Sequence, residues 1–308
     1  MKNFINISDH SSNDLRAIID EAKARKLKRQ NLNKSAPDED KPFEGKSMAM
    51  IFEKPSTRTR MSFDIAIKQL GGSSIILNPD GIHYGKGDET LKDTAKVLTE
   101  YVDIVMLRTS SHKNLEEFGK HLDIPIINGL SDIGHPCQIM SDILTYEESN
   151  GIIEGKTVAW LGDGNNNMSN SLIEAAGKFK FNLRIACPKK YSPNKKILSL
   201  AQKNKVKLIV TTKPDEAVKG SDCVMTDKWV SMNDKVNKKA KKKILKPFQV
   251  NKKLMSKANS DAIFMHCLPV GRGEEVTDEV IDGKQSVVWR QALNRVHAQK
   301  SIIKWCLD

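Results

Sequence analysis

Three observations predict an α/β protein of two doubly wound domains with parallel sheets, joined by a bridging helix and packed by a C-terminal helix. Short apolar segments alternate with helix-periodic ones through the first half of the chain, and the alternation starts again in the second half. The strand candidates are apolar throughout, as in parallel sheets covered on both faces. A chain of 308 residues exceeds the usual size of one core, which suggests two domains.

In chain order, a helix is expected at 13–28, a strand at 48–52 and a helix at 58–70. A strand at 74–77, a helix at 89–101, a strand at 103–107, a helix at 113–122 and a strand at 124–127 follow. Residues 137–148 are helical and stop at Ser149-Asn150-Gly151, so 135–150 is placed as the bridge. Strands are then expected at 157–161, 183–186, 207–210, 223–225 and 262–265. Helices fit between them at 169–179, 194–204 and 214–219. The last helix, 286–307, carries Val288, Leu293, Val296, Ile302, Ile303 and Trp305, which suit packing back onto another element. The expected domains are therefore 1–134, completed by 286–308, and 151–285.

Composition bounds the function. Hydrophobic residues make up 39% of the chain, enough for packed cores. No apolar run approaches a membrane span, and the N-terminal stretch lacks the apolar core of a signal peptide, so a cytoplasmic protein is expected. The five cysteines (137, 187, 223, 267, 306) are scattered and odd in number, which argues for reduced thiols and against a disulfide framework or a structural zinc site. A net charge of +12 invites a nucleic-acid partner. Ten lysines, however, lie within 235–257, where Phe248 is the single aromatic. That stretch is better explained as a solvated helical face than as a stacking platform.

The run Ser56-Thr57-Arg58-Thr59-Arg60 stands between a strand and a helix, behind Pro55. A helix start offers free N–H groups and the positive end of the macrodipole. Hydroxyls and guanidinium groups added there exceed what a helix cap needs and suit an anion such as phosphate. Arg108 ends a strand, where open α/β sheets bind ligands; an ordinary surface arginine is an equal alternative. His135 and Gln138 flank Pro136 and Cys137. Taken alone, His135 suits a turn and Cys137 a buried filler position. In Gly162-Asp163-Gly164-Asn165-Asn166-Asn167-Met168 the third glycine of a dinucleotide loop is missing, and amide groups suited to a zwitterionic amino acid stand instead. Asp227-Lys228-Trp229-Val230-Ser231-Met232 and His266-Cys267-Leu268-Pro269 each follow a strand. Asp227 suits an ammonium group, and Cys267 alone suits an inert thiol.

Together these motifs, in this order from Ser56 to His297, resemble the carbamoyltransferases, and among them the ornithine carbamoyltransferases. The resemblance implies two α/β domains, a bridging helix, no metal or organic cofactor, and a homotrimer or multiple of trimers with active sites at subunit contacts. It implies a carbamoyl phosphate site of Ser56, Thr57, Arg58, Thr59, Arg108, His135, Gln138 and Arg295, with His83 supplied by a neighbouring subunit. It implies an ornithine site of Asn167, Asp227, Ser231, Met232, Cys267 and Leu268. Arg58, Arg108, His135, Asp227 and Cys267 would carry the chemistry, and the products would be citrulline and phosphate, in arginine metabolism. Two positions depart from the usual pattern. Asn233 replaces a glycine, and His83 stands where many members have glutamine. The alternatives are a carbamoyltransferase for a related amine such as putrescine or, from a different class, a basic nucleic-acid-binding protein.

Overall fold

The computed structural model describes residues 2–78, 89–230 and 237–308. Internal contacts divide the chain into two units, Met1–Leu144 with Leu293–Asp308, and Thr145–Ala292.

The first unit contains α1 (Ser12–Lys28), β1 (Ser47–Phe52), α2 (Thr57–Gln69), β2 (Ser73–Leu77), α3 (Leu91–Tyr101), β3 (Ile104–Arg108), α4 (His112–Gly119) and β4 (Ile126–Leu130). The strands form a parallel sheet in the order β2-β1-β3-β4. Ala49, Ile51, Val105 and Leu107 of the central strands pack with Leu98 of α3 and with Leu115 and Phe118 of α4. Fully burying one such large side chain contributes about 1.5–3 kcal/mol. β4 begins two residues later than the expected 124. Pro125 has no N–H to donate and gives the sheet only its carbonyl, which accepts from Val105 N (2.9 Å). The chain start also joins this edge: Phe4 N donates to Ile126 O (2.9 Å) and Asn128 N to Phe4 O (2.8 Å).

α5 (Pro136–Asn150) starts in the first unit and ends in the second. The second unit continues with β5 (Thr157–Leu161), α6 (Asn167–Phe179), β6 (Asn182–Ala186), α7 (Lys195–Lys203), β7 (Leu208–Thr211), α8 (Pro214–Val218) and β8 (Cys223–Thr226). Then come α9 (Lys238–Leu245), α10 (Lys252–Met255), β9 (Ile263–His266), α11 (Asp278–Ile281) and α12 (Val288–Leu307), whose later residues belong to the first unit. The sheet is again parallel, in the order β7-β6-β5-β8-β9. Ala159, Leu161, Val224 and Phe264 form its core with Leu254, Val280 and Ile281. Asparagine side chains cap α6, α7, α9 and α10, each accepting an N–H of the first turn.

The lysine-rich segment needs a correction. α9 is a helix whose lysines are mostly solvated, but Lys241 is buried and pairs with Asp163 at 2.8 Å. A charge count cannot distinguish the one lysine that faces inward.

α12 is tied to α1 and α2 through Asp38. Its carboxylate accepts from Arg25 (2.9 Å), Arg29 (2.6 Å) and Lys300 (2.7 Å), while Lys300 also donates to Gln69 Oε1 (3.1 Å). Burial disfavours the Asp38 carboxylate, but the hydrogen bonds from Lys300 and Arg29 outweigh it and hold the carboxyl below its usual range.

Both strand orders reverse at the first strand of the sheet. In the first unit the chain goes from β1 to β2 on one side and then to β3 on the other; in the second it goes from β5 to β6 and later to β8. Ligands in open α/β sheets bind outside the carboxyl ends of strands at such switch points. The registers place Phe52 beside Arg108, and Leu161 beside Thr226, which is itself beside His266. The motif-bearing loops after β1 and β3 therefore leave the first sheet at its switch point, and those after β5 and β8 leave the second at its own.

Candidate active site

In the first unit, Ser56 ends the β1–α2 connection in extended backbone and caps α2, its Oγ accepting from Thr59 N (3.3 Å). Ser56 and Arg58 are half-buried, Thr57 is exposed and Thr59 is fully buried. The Thr59 hydroxyl is the meeting point of the site. It accepts from Arg108 at the end of β3 (3.2 Å) and from Arg295 of α12 (2.8 Å). Arg295 also donates to Gln138 Oε1 (3.0 Å), and Gln138 donates to Asp142 Oδ1 (2.8 Å) one turn further along α5. Pro136 opens α5, so His135 and Gln138 lie at its first turn.

His135 is buried beside this group. Burial first, and then the Arg295, Arg108 and Arg58 guanidinium groups, push its pKa well below the usual value. It is therefore a neutral imidazole at neutral pH. Cys137 is buried, its thiol donates to Asn128 O (3.4 Å), and burial pushes its pKa up to about 12. It is a packing residue.

Glu53, not singled out in the sequence, anchors the neighbouring loop. Its Oε2 accepts from Thr109 Oγ1 (2.6 Å) and Ser110 N (3.1 Å). Nothing in Glu-Lys-Pro advertises this role, because its partners lie on another strand's exit.

In the second unit, Asp227 follows β8 and Cys267 follows β9, and Cys267 Sγ donates to Asp227 Oδ1 (3.1 Å). Both are half-buried. Leu268 N donates to His266 Nδ1 (2.8 Å), which assigns the ring proton to Nε2, where the buried Glu275 carboxylate accepts (3.2 Å). Leu268 has φ 60°, a left-handed backbone that costs a branched side chain energy. The His266 and Glu275 contacts hold this turn in place. Glu275 also accepts from Gly271 N and was not legible in the motif. Asp227, His266 and Cys267 place ligand atoms within 4.8 Å of one another, but both His266 nitrogens are engaged, so a metal would have to break one of those bonds.

Asn167 is the first residue of α6, and Asn166 is its cap, accepting from Ser169 N (2.8 Å). The two glycines before them have packing reasons. Gly162 has φ 116°, and a Cβ on Gly164 would lie 2.9 Å from Tyr191 O. This glycine pair serves packing rather than a dinucleotide. Three expected site residues, His83, Ser231 and Met232, lie outside the described residues, as does Asn233. The remaining expected residues divide between the units: Ser56, Thr57, Arg58, Thr59, Arg108, His135, Gln138 and Arg295 lie in the first, where Thr59 joins Arg108 and Arg295 and Arg295 joins Gln138, and Asn167, Asp227, Cys267 and Leu268 lie in the second, where Cys267 meets Asp227.

Residues 2–148 match the family model described as "Aspartate/ornithine carbamoyltransferase, carbamoyl-P binding domain", and residues 154–306 match "Aspartate/ornithine carbamoyltransferase, Asp/Orn binding domain". A Brucella ovis protein named ornithine carbamoyltransferase is 50% identical over 308 residues, covering 100% of this chain and 96% of that one. The solved ornithine carbamoyltransferase of Pyrococcus furiosus is similar at TM-score 0.92 and 41% identity, covering 99% of this chain and 97% of that one. The anabolic ornithine carbamoyltransferase of Campylobacter jejuni is similar at TM-score 0.90 and 37% identity, covering 99% of each. With both family models matched along nearly its whole length, this chain belongs to the aspartate/ornithine carbamoyltransferase family.

Proposed function

We propose that this protein transfers the carbamoyl group of carbamoyl phosphate to the δ-amine of L-ornithine, giving L-citrulline and phosphate. The observation that carries the reading is the convergence of Arg108 and Arg295 on Thr59 at the capped start of α2, beside a neutral His135. Cations and helix N–H groups held together suit a compact dianion. Full-length likeness to proteins named ornithine carbamoyltransferase favours ornithine as the acceptor.

In this reading Ser56, Thr57, Arg58 and Thr59 hold the phosphate. Thr59 accepts two guanidinium N–H bonds, so its own O–H is left to donate toward a phosphate oxygen. Arg108, His135, Gln138 and Arg295 reach the carbamoyl group. His135 donates a hydrogen bond as a neutral imidazole, and Arg58 and Arg108 supply positive charge to the tetrahedral oxyanion. Asn167, Asp227, Ser231 and Met232 hold the α-amino and α-carboxylate groups of ornithine. Asp227 and Cys267 aim the δ-amine, with Leu268 lining its approach. The neutral amine attacks the carbonyl carbon, the new C–N bond forms, the C–O bond to phosphate breaks, and phosphate leaves with the electron pair as the amine loses a proton. Positioning of the two reactants supplies much of the acceleration.

A citrulline assay with ornithine, putrescine, aspartate and acetylornithine as competing acceptors tests the reading. Ornithine is expected to dominate, and no citrulline from ornithine would sink the proposal. Arg58→Ala should lower kcat about 10²–10³-fold in a folded protein. The same reading takes the protein as a cytoplasmic homotrimer or multiple of trimers acting in arginine biosynthesis, with His83 reaching a neighbouring subunit's site. A monomer mass by light scattering would remove the assembly.

A further inference from the structure

Lys241 is the lysine of α9 that the surface reading does not explain. Its Nζ lies 2.8 Å from Asp163 Oδ2, with side chains 10% and 8% exposed, and 5.3 Å from the Tyr191 ring centroid. Asp163 is the centre of the loop that leads into α6. Its Oδ1 accepts from Asn165 N (2.9 Å), and its carbonyl accepts from Trp160 Nε1 (2.9 Å). Gly164 N donates to Tyr191 O (2.9 Å), and Asn194 Nδ2 donates to Asn165 Oδ1 (3.0 Å). Lys241 and Tyr191 thus brace two neighbouring residues, Asp163 and Gly164, of the same short loop, which Asn166 ends and Asn167 follows directly.

A buried ion pair is seldom more stabilising than apolar packing of the same volume. An aspartate alone also suffices for the turn to Asn165. What the lysine adds is direction, because it fixes where the Asp163 carboxylate points. We infer that Lys241 is a positioning residue of the amino-acid half-site: through Asp163 it holds the loop 162–166 so that Asn167 presents its amide to the substrate's α-carboxylate and α-amino groups. This rests on the proposed assignment of Asn167 to the acceptor amino acid.

The test uses Lys241→Met, Asp163→Asn, their double variant and Lys241→Arg in the full chain. Kinetics for both substrates are combined with amide exchange at Gly164 and Asn165. In Lys241→Met, Asp163→Asn and the double variant, KM for ornithine should rise roughly tenfold and KM for carbamoyl phosphate should stay within about twofold. Lys241→Arg should restore most of the ornithine affinity. Exchange at Gly164 and Asn165 should quicken in Lys241→Met. The double variant leaves neither charge buried alone, so it stays folded if a single variant does not. Equal changes in both KM values that track a fall in Tm would overturn the inference, as would unchanged exchange or a double variant with wild-type ornithine KM. Wild-type protein that carbamoylates another amine instead would sink the ornithine assignment, and the same comparison would then be made with that amine. Wild-type protein without any carbamoyl transfer would sink the functional reading, and the exchange result alone would decide the tether.

Discussion

Thr59 joins groups that lie far apart in the chain through one hydroxyl, which accepts from Arg108 and from Arg295, the latter 236 residues away. Thr59→Val would leave the buried Arg295 and the half-buried Arg108 N–H groups without that acceptor, and stability should fall by about 1–3 kcal/mol in urea unfolding. KM for carbamoyl phosphate should rise with it; an unchanged value would take Thr59 out of the phosphate site. Two buried histidines set the response to acid. His135 is depressed well below its usual pKa, and His297 is depressed to about 3, by burial first and then by Lys26 and Lys300. Below about pH 6.5 the unfolded chain protonates these rings while the folded chain does not. Stability is therefore complete above that pH and falls as pH drops toward the folded values. His297 should contribute a loss on the order of 2 kcal/mol between pH 6.5 and 5, and His135 a loss in the same direction. The depressed carboxylates act at lower pH, so His297→Gln should remove its share of this window alone.

Among the elements, most helix starts were legible to within one or two residues, because caps are local. Ser56 before α2 and Asn194 before α7 accept N–H groups three residues on, within the reach of one turn. Strand β5 was legible at its full length because its five residues are all buried and none is a turn former. The short helices α10 and α11 were not expected, since four residues carry no detectable period. The attachment of α12 was legible only as an apolar pattern. Its anchor is the ion cluster at Asp38, whose partner Lys300 is 262 residues away. Asp38→Ala would take the carboxylate from the buried Arg29 and Lys300, while Arg25 keeps Glu21 and Asp40, and a loss of roughly 3–5 kcal/mol is expected in chemical unfolding. Because Arg295 lies on the same helix, KM for carbamoyl phosphate should rise as well; an unaltered KM would separate the anchor from the site.

At the scale of the whole molecule, the net charge of +12 acts as a field rather than as a contact. An anionic substrate should be drawn in, and the attraction should weaken with salt, because the Debye length is about 10 Å at 0.1 M. KM for carbamoyl phosphate is expected to rise between low and moderate ionic strength, with KM for ornithine less affected. A salt-dependent shift of DNA or RNA at nanomolar protein would instead revive the nucleic-acid reading. The sequence by itself determined the α/β class, the order of the strands and longer helices, and the motifs, because strand patterns, helix periods and caps are written in neighbouring residues. The tertiary structure alone decided which side chains meet. The strand orders carry Arg108 to the exit of β1, α12 returns Arg295 to Thr59, and α9 turns one lysine of many onto Asp163. Burial sets those pairings, since a charge or hydroxyl removed from water must find a partner wherever the folded chain provides one.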